Sequence, residues 1–187
     1  MHKENLSAEQ ALQKLKEGNQ RYLAAMTNPG DVSPAIRQKT CDEGQTPYAI
    51  IITCSDSRVI PESVFSAGIG ELFVIRVAGN VMDKHQLGSI EYAADHLGTK
   101  LVVVLGHEHC GAVGAAITSK PEGFVKYITD EILKAVGDEK DEYKACCLNV
   151  DRAVSVIKES LHVSDEEGGV KVCGAYYHIG SGEVDFL

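Results

Sequence analysis

Two apolar runs constrain what this chain can fold into. Tyr48-Ala49-Ile50-Ile51-Ile52-Thr53 and Leu101-Val102-Val103-Val104-Leu105-Gly106 are short, largely β-branched and uninterrupted. A strand with one wet face alternates apolar and polar residues. A run without alternation suits a strand buried on both faces, as in a parallel sheet covered by helices. The first run passes into Cys54-Ser55-Asp56-Ser57-Arg58 and the second into His107-Glu108-His109-Cys110. Open α/β sheets place their ligands at the carboxyl ends of strands. Cys54, His107 and Cys110 are therefore expected to converge. Two thiolates and an imidazole are the ligand set of a catalytic zinc site, whose fourth position is left for water.

The rest of the chain fits that frame. Ser7-Ala8-Glu9-Gln10 is a capping box, and Leu12, Leu15, Tyr22, Leu23 and Met26 continue at roughly helical spacing until Asn28-Pro29-Gly30. Ser33-Pro34 opens a second helix and Pro61 a short one. Leu72 to Val77 reads as a strand, Leu87 to Leu97 as a helix closed by Gly98, and Gly111 to Thr118 as a helix directly behind Cys110. The stretch from Ser119 to Glu142 reads as helix plus surface loop. Asn149 to Leu161 is an amphipathic helix, Asp165 to Gly169 a turn, and Val170 to Tyr177 a last long strand, turned at Gly180-Ser181-Gly182 into Glu183 to Leu187. Strand–helix alternation predicts a single α/β domain with a central, mostly parallel sheet flanked by helices. An N-terminal helical arm (1–43), a core carrying the zinc site (44–118) and C-terminal helices with an edge strand (119–187) make up that domain.

Composition narrows the function classes. The 187 residues carry a net charge of −9 with basic residues scattered, which argues against nucleic acid or an anionic membrane as partner. No apolar run is long enough to span a bilayer, and the N-terminus leads into a polar helix and not a signal segment. A reducing cytoplasm is the expected location, where six cysteines are free or metal-bound and not paired.

Singly, Cys54 and Cys110 read as small buried hydrophobes and His107 as a hydrogen-bonded loop histidine. Together, at strand ends flanked by glycine and polar loop, they read as metal ligands. His109 competes with His107 but adjoins Cys110, and adjacent residues point apart, so His109 is expected at the rim. Cys41, Cys146, Cys147 and Cys173 read as thiols outside the site. Asp56 and Arg58 alternate on the loop that carries Cys54 and can share a face. A carboxylate beside a guanidinium stays ionised and can orient a metal-bound water or hydroxide.

These motifs resemble the β-class carbonic anhydrases. The likeness rests on Cys54-Ser55-Asp56-Ser57-Arg58 and on His107-x-x-Cys110-Gly111. It extends through Glu17-Gly18-Asn19-Gln20-Arg21-Tyr22, Gly70 to Asn80, Gly88 to Ala93 and Gly174-Ala175-Tyr176-Tyr177. The resemblance implies one Zn2+ per chain on Cys54, His107 and Cys110, with Asp56 and Arg58 as a dyad. It also implies a substrate pocket using Gln45, Phe73 and Tyr92, as in plant-like members, together with Gly111. The reaction implied is reversible hydration of CO2 to bicarbonate, in a homodimer or dimer of dimers whose N-terminal helices embrace the partner. Some bacterial relatives carry a regulatory bicarbonate site using a tryptophan before the first cysteine ligand. This chain has no Trp, and Ile51 stands there. His178 stands where relatives often have an acidic residue. The motif would equally serve a hydrolase of COS or CS2, which are isosteres of CO2. A non-catalytic zinc- or bicarbonate-binding module would have no use for the Asp56–Arg58 pair. Gly68-Ile69-Gly70 precedes a strand and so is not a dinucleotide fingerprint. His85 and His109 are candidate proton shuttles between which the sequence does not choose.

Overall fold

The computed structural model describes residues 5–25, 27, 30–119, 121–161 and 169–187 of the chain. The elements are α1 (Ala8–Ala24), α2 (Pro34–Glu43), β1 (Ala49–Thr53), α3 (Pro61–Val64), β2 (Leu72–Arg76), α4 (Lys84–Leu97), β3 (Leu101–His107), α5 (Gly111–Thr118), α6 (Val125–Val136), α7 (Glu142–Ser160), β4 (Lys171–Tyr177) and β5 (Val184–Phe186). The sheet runs β2-β1-β3-β4-β5. Every pairing is parallel except β4 with β5, which makes the mostly parallel α/β sheet that was expected.

Residue alternation divides the core between the two faces of this sheet. Ala49 and Ile51 of β1 and Leu101, Val103 and Leu105 of β3 face one apolar layer, with Leu15 and Phe65. Ile50, Ile52, Val102 and Val104 face the other, with Ile90 of α4 and Val150 and Ile157 of α7. Both central strands are buried along their whole length, which accounts for runs with no polar interruption. β1 connects outward to β2 on one side, and β2 then connects back past β1 to β3 on the other. The crevice at the carboxyl ends of β1 and β3 is the point where the strand order reverses.

Several boundaries differ from the sequence expectation. α4 starts three residues earlier, at Lys84, because Asp83 accepts from His85 N and exchanges capping-box bonds with Gln86. α7 starts at Glu142, seven residues early, behind an Asp141 cap, because Ala145-Cys146-Cys147-Leu148 run on without a helical period. β3 runs past the apolar run to His107, since its ladder with β4 extends to His107↔Tyr177. The expected stop at Asn28-Pro29 and the turn at 165–168 lie outside the described residues.

α1 packs one face on its own sheet. Ala11 and Leu15 are fully buried against the chain's own sheet, and Leu12 and Tyr22 pack on the same layer. Asn19, buried in that contact, donates to Val64 O (3.1 Å) and Gly182 O (2.9 Å) and accepts from Val184 N (3.1 Å). An amide satisfied three times ties α1 to α3 and to the β4–β5 turn, and among the described residues of that apolar face Leu23 is exposed.

Candidate metal centre

Cys54 follows the last residue of β1, His107 ends β3, and Cys110 is the residue before α5. Their ligand atoms lie within 4.8 Å of one another, and all three residues are buried. The backbone turns sharply to achieve this. His109 has φ +53°, a left-handed conformation unusual for a residue with a side chain, which brings Cys110 back over the end of β3.

The donor set is prepared for a cation. His107 Nδ1 lies 2.8 Å from Glu108 O. A carbonyl can only accept, so Nδ1 carries the proton and Nε2 presents a lone pair. That Nε2 is buried and has no hydrogen-bond partner. Contact with the Cys110 thiol, helped by the Gly79 N–H 3.3 Å from its sulfur, pulls Cys54 down to about 4 against desolvation. The same contact, with burial, pushes Cys110 up. The pair thus favours charge on Cys54 over Cys110, beside an imidazole nitrogen with no hydrogen-bond partner.

The surrounding glycines are steric necessities. Gly79 has φ +67°, and a Cβ there would stand 2.8 Å from Ile132 Cδ1. A Cβ at Gly106 would meet Val150 Cγ2 at 2.6 Å and the Cys146 sulfur at 2.9 Å. A Cβ at Gly106 would press on Val150 and Cys146 of α7, whereas at Gly79 the end of Ile132 could yield but the left-handed backbone would be strained.

Asp56 and Arg58 face each other as their alternation suggested. Arg58 Nε donates to Asp56 Oδ1 (2.9 Å) and Nη2 to Oδ2 (2.7 Å), while the Arg58 backbone N–H also reaches Oδ1 (2.9 Å). These hydrogen bonds hold the carboxyl well below the usual carboxylate range. Arg58 Nη2 further donates to His109 O (3.0 Å), tying the loop after β1 to the loop after β3.

The carbonic anhydrase family model matches residues 49–184 of the chain, which includes all three cluster residues. The chain belongs to the carbonic anhydrase family. The Mycolicibacterium smegmatis carbonic anhydrase is 36% identical over 185 residues, covering 91% of this chain and 89% of that one. Carbonic anhydrase 2 of Mycobacterium tuberculosis strain H37Rv is 42% identical over 128 residues, covering 65% of this chain and 61% of that one. Among solved structures, a tetrameric β-carbonic anhydrase of Sordaria macrospora superimposes with a TM-score of 0.70 at 28% identity, covering 83% of this chain and 87% of the other. The Coccomyxa β-carbonic anhydrase in complex with acetazolamide gives 0.67 at 26%, covering 84% and 86%. These neighbours place the chain in the β class.

Within one carbonic anhydrase chain the expected pocket residues do not gather at the cluster. Phe73 pairs with Ile50, four residues short of Cys54, or about 13 Å along a strand. Tyr92 packs beside it, ring centroids 6.2 Å apart, and is half exposed. Gln45 and Tyr92 line an open cleft of about 740 Å³ with Ile36, Thr40, Gly70 and His96, and none of the cluster residues borders it. Gly111 is at the site, as the exposed first residue of α5. His109 sits at the rim, its Nδ1 3.4 Å from Glu142. His85 is almost wholly exposed at the start of α4. His178 pairs with Asp185 at 2.8 Å, which accounts for it without an acidic residue there. Sequence reading missed Arg76, whose guanidinium reaches Cys54 O and Asp56 O. It also missed Asn149, which donates to Gly79 O at 2.8 Å. Arg76 ends an apolar strand and carries no motif of its own, so only its position marks it.

Proposed function

We propose that Cys54, His107 and Cys110 hold one Zn2+, and that this centre carries out the family's reaction, the reversible hydration of CO2. The observation that carries the reading is the buried, unpartnered Nε2 of His107, clustered with two buried sulfurs. An orphaned buried acceptor is costly, and a thiophilic dication would satisfy it while displacing the remaining thiol proton. Zn2+ so held supplies a Lewis acid that makes hydroxide available near neutral pH, a chemistry for which carbonic anhydrases are the standard example.

The chain's own residues supply orientation. Asp56, ionised and therefore acceptor-only, takes the proton of the attacking oxygen in a hydrogen bond and leaves a lone pair for CO2. Arg58 holds the carboxylate at both oxygens. Gly111, in the first turn of α5, offers a backbone N–H with no side chain in the way. Gln45, Phe73 and Tyr92 serve as the CO2 pocket for the metal centre of a second subunit, since their separation from their own centre leaves no other route to one. This requires at least a homodimer, and the Sordaria neighbour is tetrameric. Six cysteines without a disulfide suit the cytoplasm, and no described helix is long and apolar enough to cross a membrane.

Metal analysis paired with a CO2-hydration assay tests the reading. The wild type should contain about one zinc per chain. Cys54→Ala should lose zinc and activity together. Full zinc occupancy in that variant would overturn the ligand assignment.

A further inference from the structure

We infer that Arg76 is a positioning residue for this reaction, holding the loop that carries Asp56 through its main chain; the inference rests on the dyad reading proposed above. The backbone ladder between β1 and β2 ends at Thr53↔Arg76, with one more bond from Val77 N to Thr53 O (3.1 Å). Beyond that point the Arg76 side chain continues the ladder. Its Nε donates to Cys54 O at 3.1 Å and its Nη2 to Asp56 O at 2.6 Å. Asp56 O also accepts from Val59 N at 3.1 Å, so the guanidinium and the turn meet on one carbonyl.

An exposed arginine ordinarily contributes little, because its long side chain is costly to order. Here the planar fork reaches two carbonyls two residues apart with separate nitrogens in a fixed geometry, which lysine's single flexible ammonium does not offer. The carbonyls belong to a cluster residue and to the dyad carboxylate. Arg58 fixes the Asp56 side chain, and Arg76 fixes the backbone from which that side chain projects. Without Arg76 the Asp56 carboxylate keeps its Arg58 partner, but the pair as a unit loses its register with Cys54.

The test is a double-mutant cycle with Arg76→Ala and Asp56→Asn in the zinc-loaded protein, read in kcat and KM, together with amide hydrogen exchange over residues 54–59. Arg76→Ala should keep its zinc and lower kcat about 10- to 100-fold, the usual effect of removing a group that supports a metal site from outside. KM should change less. Arg76→Lys should fall between the two. Because Arg76 acts through Asp56, the double variant should be no slower than Asp56→Asn alone. Exchange at Val59 N–H should rise in Arg76→Ala while β3 stays protected. If Arg76→Ala does not fold, Arg76→Lys carries the same cycle. Losses that multiply in the double variant, a kcat within about twofold of wild type, or unchanged exchange over 54–59 would overturn the assignment. A wild type without zinc, or an Asp56→Asn variant of full activity, would instead sink the underlying dyad reading.

Discussion

At the residue scale the centre combines two demands, a burial that makes polar groups costly and a set of contacts that prepares them for one cation. Asp56 shows how charge enters the stability of the loop. Arg58 lowers its folded-state pKa beneath the unfolded value. Its contribution is therefore complete above the unfolded pKa of about 3.9 and is lost as pH falls through the folded value. In metal-free protein, where thiol protonation by the metal's departure plays no part, Asp56→Asn should lower the thermal midpoint at neutral pH. The gap from wild type should stay constant down to about pH 5 and close below about pH 4. A gap that widens in acid would contradict the sign of the shift. At pH 7 the same variant should retain zinc and lose activity about 10- to 100-fold, measured as kcat for CO2 hydration.

At the element scale the helices explain why the loops are where they are. α1 buries Leu15 against the chain's own sheet, and α7 presents Val150 and Cys146 to the face where Gly106 lacks a side chain. Leu15→Ala should cost about 2–5 kcal/mol, since the site is fully enclosed and cannot collapse easily. The loss, read by denaturant unfolding, should be the same at low and high protein concentration, because the contact lies within one chain. Concentration dependence would mean that α1 packs on a partner after all. Gly106→Ala should cost about 1–3 kcal/mol by overpacking and should loosen the metal centre, because Gly106 directly precedes His107. Zinc retention against a chelator, compared with wild type, measures the second effect.

For the whole molecule, the separation of Gln45, Phe73 and Tyr92 from the cluster has a consequence that can be assayed. Cys54→Ala and Gln45→Ala subunits should each be impaired as homo-oligomers. A mixed dimer joins one intact metal centre to one intact pocket. Unfolding and refolding the two variants together in equal amounts should therefore restore activity, to about a quarter of wild type for statistical pairing of dimers. Recovery no greater than the sum of the separate variants would place metal centre and pocket in one chain.

Much of this protein was legible in the residues themselves. Short, unbroken β-branched runs bounded by polar loops suit strands buried on both faces, which made β1 and β3 and the parallel sheet readable, and a Cys or His set at each run's end made the cluster readable with them. The capping boxes and Pro starts worked because they are local hydrogen-bond chemistry. What the sequence left open depends on contacts distant along the chain. How α1 seats on its own sheet turned on Asn19 meeting Val64, Gly182 and Val184, up to 165 residues away. That Arg76 would clamp Cys54 O and Asp56 O followed from the register of β2 against β1, which no spacing encodes. Phe73 and Tyr92 share a motif-level resemblance with the pocket of relatives, yet only the strand register set Phe73 four residues down the sheet from Cys54, with Tyr92 of α4 packed beside it. Local sequence decides which groups a chain can offer; the pairing of strands decides which of them meet, because a side chain's neighbours are set by the packing of elements and not by its place in the chain.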